Sequence, residues 1–191
     1  MEVREHIARA EDLIRTGQFD DAIDLLNGIL ADDPDTLPAL LNVGIAYTES
    51  GRNDSAIQAL SYYVRHDDAN DEAWEALGCA YLRKHDYSRA EEHLERARRL
   101  NPRNGSVLRN LSVLFSQTDR GHLGLETLEK AYEINPNDYL TTYALATAYR
   151  YLDRSREAHR LYERLQTFEH LPEDIRLDAE KHLLELSVGW N

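Results

Sequence analysis

Residues 71–104, DEAWEALGCAYLRKHDYSRAEEHLERARRLNPRN, constrain this chain more than any other stretch, because the rest of the sequence reads as better or worse copies of them. Frames of the same 34-residue length, set from residue 3, give repeats 3–36, 37–70, 71–104, 105–138 and 139–172, with 173–191 left over. Pro34, Pro102 and Pro136 all fall at position 32 of their frames, and Asp68 stands where the missing proline would be. Proline cannot continue a helix and biases the residue before it away from helical geometry, so each one closes a frame and opens the turn to the next. One frame cannot bury an apolar face by itself. Neighbouring frames must therefore stack, and the period predicts a repeat architecture.

Within a frame the apolar residues follow a helical stripe. Leu40, Val43, Gly44 and Tyr47, like Leu108, Leu111, Ser112 and Phe115, recur at i, i+3, i+4 and i+7, which is helix spacing and not strand alternation. The second half repeats the logic with Ala22, Leu26 and Ile29, and with Ala158, Tyr162 and Leu165. Gly17, Gly51, Asp119 and Asp153 mark turns near position 15, so each frame reads as helix A, a short turn and helix B. After Pro172, EDIRLDAEKHLLEL puts Ile175, Ala179, Leu183 and Leu186 on one side, which predicts an amphipathic capping helix over 173–188. Leu184, Val188 and Trp190 either complete that cap or form an edge for self-association.

Trp74, Leu77, Gly78, Tyr81, Tyr87, Ala90, Leu94, Ala97 and Pro102 occupy repeat positions 4, 7, 8, 11, 17, 20, 24, 27 and 32. This resembles the tetratricopeptide repeat (TPR) almost position for position. The resemblance spans 3–172 and implies an all-α, right-handed superhelical solenoid of five helical hairpins with a capping helix, one domain over 1–191. It also implies that positions 8 and 20 are where paired helices approach most closely. Those positions read Ala10, Gly44, Gly78, Ser112, Ala146 and Ala22, Ala56, Ala90, Gly124, Ala158, all small. Trp74, Tyr47, Tyr81, Phe115 and Tyr149 then belong to the stacking core. His6 and Arg9 are polar where later frames carry Leu or Trp, as expected at a solenoid end, which puts Met1 close to the start of the fold.

Composition narrows the function classes. A net charge of −13 repels phosphate backbones and anionic bilayer surfaces, so neither nucleic acid nor a membrane is expected as a partner. The charged N-terminal segment MEVREHIARAEDL has no apolar signal-peptide core, and the single cysteine, Cys79, suits a reducing compartment, so the expected location is the cytoplasm. No two of the eight histidines share a helical face at metal-ligand spacing, and no glycine-rich phosphate loop or nucleophile elbow occurs. No metal, cofactor or catalytic activity is expected. Glu91, Glu92 and His93 read as a charged outer surface.

TPR proteins use the concave groove lined by A helices, with family experience placing groove-facing side chains at positions 2, 5, 6, 9, 12 and 13. Here these include Asn42, Arg83, Arg109, Asn110, Val113, Leu140, Tyr143, Thr147, Arg150 and Tyr151. The heat-shock-protein carboxylate clamp of TPR co-chaperones is absent: its windows read Ile7, Glu11, Asn42, Glu72, Ala76 and Glu75, Cys79, Asn110, Leu140, Ala144, keeping only the central Asn. That Asn, at 42 or 110, can hold a peptide main chain or can simply be solvated. Arg83, Arg109 and Arg150 beside Tyr143, Tyr151, Leu140 and Val113 suit a segment with apolar anchors and some acid. The expected function is a non-catalytic protein–protein interaction module (adaptor, scaffold or chaperone) that binds a peptide or helix of a partner in its groove. The alternative is a structural protein that assembles with itself through its ends or groove.

Overall fold

The computed structural model describes residues 2–188, and among them every regular element is an α-helix. Trp190 lies outside the described residues, as do the side chains of Leu186 and Val188. The A helices are α1 (Glu2–Arg15), α3 (Leu37–Glu49), α5 (Asp71–Arg83), α7 (Gly105–Gln117) and α9 (Tyr139–Tyr151). The B helices are α2 (Phe19–Asp32), α4 (Asn53–His66), α6 (Tyr87–Leu100), α8 (Gly121–Ile134) and α10 (Ser155–Leu165), and α11 (Glu173–Val188) follows. α3, α5, α7, α9 and α11 begin at intervals of 34 residues, the first four on the first residue of their frames. The chain divides into two compact units, 1–102 and 103–191. Three hairpins make up the first; two hairpins and α11 make up the second.

Helix starts are written at position 34. Asn70, Asn104 and Asp138 each accept a hydrogen bond from an amide in the first turn of the following helix, which satisfies a donor that has no partner within the helix. Thr36 occupies the same place without a side-chain cap, and Pro38 supplies the preset φ of a first turn.

Helix ends are written at position 15. In all five hairpins the amide of position 16 donates to the carbonyl of position 11, for example Arg52 to Tyr47 at 2.8 Å and Arg120 to Phe115 at 2.9 Å. This is the Schellman closure, whose preceding residue must be left-handed. Gly17 and Gly51 have φ near 78° and 77°, but His85, Asp119 and Asp153 adopt φ of 59°, 55° and 55° with side chains attached. The left-handed conformation costs an L-residue about 1–2 kcal/mol. His85→Gly or Asp153→Gly is therefore expected to raise stability by about 1 kcal/mol, less the backbone freedom glycine adds to the unfolded chain. Gly51→Ala should lower it by a similar amount, because an added Cβ there meets nothing within 4 Å and the change acts on conformation alone. Urea titrations of the three variants check both signs.

The core follows the small positions. Ala10, Ala22, Ala56, Ala90, Ala146 and Ala158 are fully buried, and Ser112 nearly so. They admit the residue at position 24 of helix B: Leu26, Leu60, Leu94, Leu128 and Tyr162, all buried. A Cβ on Gly44 would lie 2.5 Å from the Leu60 Cγ, and one on Gly78 would lie 2.7 Å from the Leu94 Cγ. Phe115 is buried, and Trp74, Tyr47, Tyr81 and Tyr149 pack half-buried against the clusters, as expected. On α11, Ala179 is fully buried with Ile175 and Leu183 against the unit 2 core, while Leu177 and Leu184 are exposed.

Candidate functional site

In unit 2 the walls of α7, α8 and α9 enclose an open pocket of about 650 Å³. From α7 come Ser112, Val113, Ser116 and Gln117; from α8, Gly121, Gly124, Leu125 and Leu128. From α9 come Tyr143, Ala144, Thr147, Ala148 and Tyr151, with Leu152 just beyond it. One wall of the pocket is bare of side chain at Gly121, a position that reads Asn53 and Ser155 in the second and fifth hairpins. Position 17 carries Phe19 in the first hairpin and Tyr87 in the third, but Gly121 here, where an added Cβ meets nothing within 4 Å. Gly124, in contrast, is a true close approach: its Cβ would stand 2.9 Å from the Ser112 carbonyl oxygen, so α7 and α8 touch on backbone below the opening.

The lining is apolar, and most of its polar atoms are already engaged. Ser112 Oγ donates to the Arg109 carbonyl at 2.8 Å and Ser116 Oγ to the Val113 carbonyl at 2.7 Å. Thr147 Oγ1 pairs with the Tyr162 hydroxyl at 3.4 Å. Tyr143 donates its hydroxyl to Asp178 of α11 at 2.6 Å, and that hydrogen bond, with burial and the carboxylate's charge, pushes its pKa up to about 12. The phenol therefore stays protonated across the physiological range. Asp178 in turn lies 3.4 Å from Nε2 of His182, a buried residue whose Nδ1 is 2.9 Å from Glu185 and whose ring packs on Tyr162. The lining includes no His, Cys, Lys, Asp or Glu that could move a proton.

At the mouth the apolar surface is open. Tyr151 is 85% exposed, and Val113, Leu140 and Leu152 are exposed too. Among the described residues, every exposed large hydrophobic side chain apart from Val3 belongs to unit 2.

Of the groove residues named from the sequence, Val113, Tyr143, Thr147 and Tyr151 meet in this pocket, and Arg109, Asn110, Leu140 and Arg150 lie on the same two helices. Arg109 is tied to Asp138 and donates to Thr141 Oγ1 at 3.0 Å. Arg150 Nε is buried without a hydrogen-bond partner. Asn42 and Arg83 stand in unit 1. The Asn42 amide donates to the Pro38 carbonyl at 2.9 Å and to Glu11 at 3.3 Å, and Arg83 lies 3.7 Å from Glu49. Asp138 escapes sequence reasoning, yet it caps α9 through the Leu140 amide, accepts from Thr141 Oγ1 at 2.7 Å and holds Arg109 of α7. The capping type at position 34 is the signal that could have found it.

Among the described residues no group of three or more metal-ligating side chains is placed to hold an ion, and no helix is long and apolar enough to cross a membrane.

Comparison with known proteins agrees with this architecture. Residues 13–80 and 71–104 match family models described as tetratricopeptide repeat. ER membrane protein complex subunit 2-A of Xenopus laevis is 31% identical over 112 residues, covering 59% of this chain and 36% of that protein. The chain thus spans about a third of the length of such curated relatives. The crystal structure of TTC0263, a thermophilic TPR protein of Thermus thermophilus, superposes with a TM-score of 0.84 at 19% identity, covering 95% of this chain and 98% of that one. PilF of Pseudomonas aeruginosa gives 0.75 at 15% identity, covering 97% and 89%. At these identities the structural matches speak for the fold.

Proposed function

We propose, from the premise that this chain is built of tetratricopeptide repeats, that it is a non-catalytic protein-interaction module whose unit 2 pocket receives an apolar segment of a partner protein. The observation that carries this reading is Tyr151, an aromatic side chain 85% exposed at the rim of an apolar pocket. Exposed aromatics beside a preformed apolar cleft are the usual anchors of protein interfaces. The shortage of proton-transfer groups in the lining supports binding over chemistry. The matched relative, named as a subunit of a membrane protein complex, supports a role within an assembly. A cytoplasmic location suits the lone Cys79.

Tyr151→Ala is expected to weaken the partner's binding by at least roughly 30-fold, the effect of losing an anchor worth about 2 kcal/mol. The fold should be untouched, since an exposed substitution of this kind changes stability by only about 0.5 kcal/mol or less. Parallel capture on the intact and substituted chains, followed by calorimetric Kd values for the protein retained, checks this; equal affinities would remove Tyr151 and the pocket from the interface. Leu177 and Leu184, exposed together on α11, favour self-assembly as a second reading. Light scattering over a concentration series separates the two, since a chain that stays monomeric does not self-assemble.

A further inference from the structure

We infer that the segment received by the unit 2 pocket is an acidic amphipathic α-helix, an inference that rests on the docking function proposed above. An extended peptide brings backbone N–H and C=O groups that need partners when buried. The pocket offers few. Its walls are helices whose main-chain groups bond within the helix, and the hydroxyls of Ser112, Ser116, Thr147 and Tyr143 are engaged inside the chain. A helical segment arrives with its backbone already satisfied and needs only apolar contact from the surface.

The lining residues of α9, with Leu140 one turn before them, match that requirement. Leu140, Tyr143, Thr147 and Tyr151 run down one face of α9 at helical spacing, and Val113 faces the pocket from α7. A row of side chains spaced on one helix meets the i, i+3, i+4, i+7 anchors of another.

Charge selects the sign of the partner. In unit 1 the groove-facing positions mix Glu11, Glu49, Glu72 and Glu75 with Arg4, Arg15 and Arg83, whereas on α7 and α9 they carry Arg109 and Arg150 and no carboxylate, within a chain of net charge −13. Arg109 is held by Asp138 and the Arg150 Nε is buried, so what the two residues offer a partner is positive charge beside the strip. Glu185 of α11, whose carboxylate feels Arg150, is itself engaged by His182. A helix with Glu or Asp beside its apolar stripe complements this strip.

The test is selection from a phage-displayed library of random peptides about 16 residues long, enough for four helical turns. Selection uses the intact chain, with counter-selection on Tyr151→Ala and on Val113→Asp. Helicity is read by circular dichroism of each selected peptide on binding. The expected result is peptides of net negative charge with apolar residues at i, i+3 or i+4 and i+7. They should gain helix when bound, lose at least tenfold in affinity to either variant, and weaken when their Glu is changed to Gln. Variant-dependent peptides that bind extended, or that are basic, would overturn the helix inference and leave the docking function standing. If no selected peptide discriminates the variants from the intact chain, whose helicity they share, the pocket is not a docking site and both readings fall.

Discussion

Leu94→Ala is expected to destabilise unit 1 by about 2–5 kcal/mol, the largest effect of any single core substitution considered for that unit. Leu94 is fully buried at position 24 of α6, with its Cγ where a Cβ on Gly78 of α5 would have to go. The contact makes a sharper prediction than the single variant. Gly78→Ala places a methyl 2.7 Å from Leu94 Cγ, 2.9 Å from Cδ2 and 3.2 Å from the Leu94 amide nitrogen. Overpacking of this kind costs about 1–3 kcal/mol, partly offset by the gain of about 1 kcal/mol when alanine replaces glycine inside a helix. With both substitutions the alanine methyl enters space vacated by the leucine. The double variant should therefore be more stable than the sum of the singles implies, with a coupling of about 1 kcal/mol or more. Guanidinium unfolding of the four proteins, followed by circular dichroism, measures this. Strict additivity would mean that Leu94 is not what holds position 78 to glycine.

Asp138→Ala is the second. This carboxylate caps α9, accepts the hydroxyl of the fully buried Thr141 and pairs with Arg109 of α7, with both charged side chains about four-fifths buried. Losing the cap costs about 0.5–2 kcal/mol, and leaving a buried hydroxyl and a largely buried guanidinium without their acceptor adds about 1–3 kcal/mol. A loss of about 2–4 kcal/mol from unit 2 is expected. Asp138→Asn should recover the cap through Oδ1, but it puts an amide N–H where Oδ2 accepts from Thr141 and pairs with Arg109, and so should fall between the two. Because Arg109 and Asp138 also tie α7 to the start of α9, the alanine variant should loosen the two pocket walls. Faster amide hydrogen exchange in α9 than in α10 would report it. Equal stability of the alanine and asparagine variants would show that the cap contributes nothing.

Much of this fold was legible because the repeat makes each position a five-fold observation. The small residues at positions 8 and 20 and the turn at 15 were each visible in letters, and from α3 onward the A helices begin where the frames begin. The features that escaped are those that depend on one hairpin differing from the rest. Gly121 is an ordinary residue until set beside Phe19 and Tyr87; only then does its missing bulk read as a pocket. Arg109 and Arg150 look alike in the sequence, yet one is bound by a carboxylate 29 residues away and the other is not. His182 reads in the sequence as one more isolated histidine, although its place on α11, over Tyr162 and between Asp178 and Glu185, buries it. A period reports what recurs, while the candidate site is made of what does not.

The internal engagement of the pocket's hydroxyls has a thermodynamic consequence. Water entering the cleft finds apolar walls and few groups to bond with, so the solvent there is poorly held and displacing it sacrifices little. Association should then carry a negative heat-capacity change, with discrimination resting on the bulk of the incoming side chains more than on their hydrogen-bonding pattern. For a helix docked as proposed, a socket of that kind tolerates sequence drift as long as volume, helical form and the acidic flank are preserved.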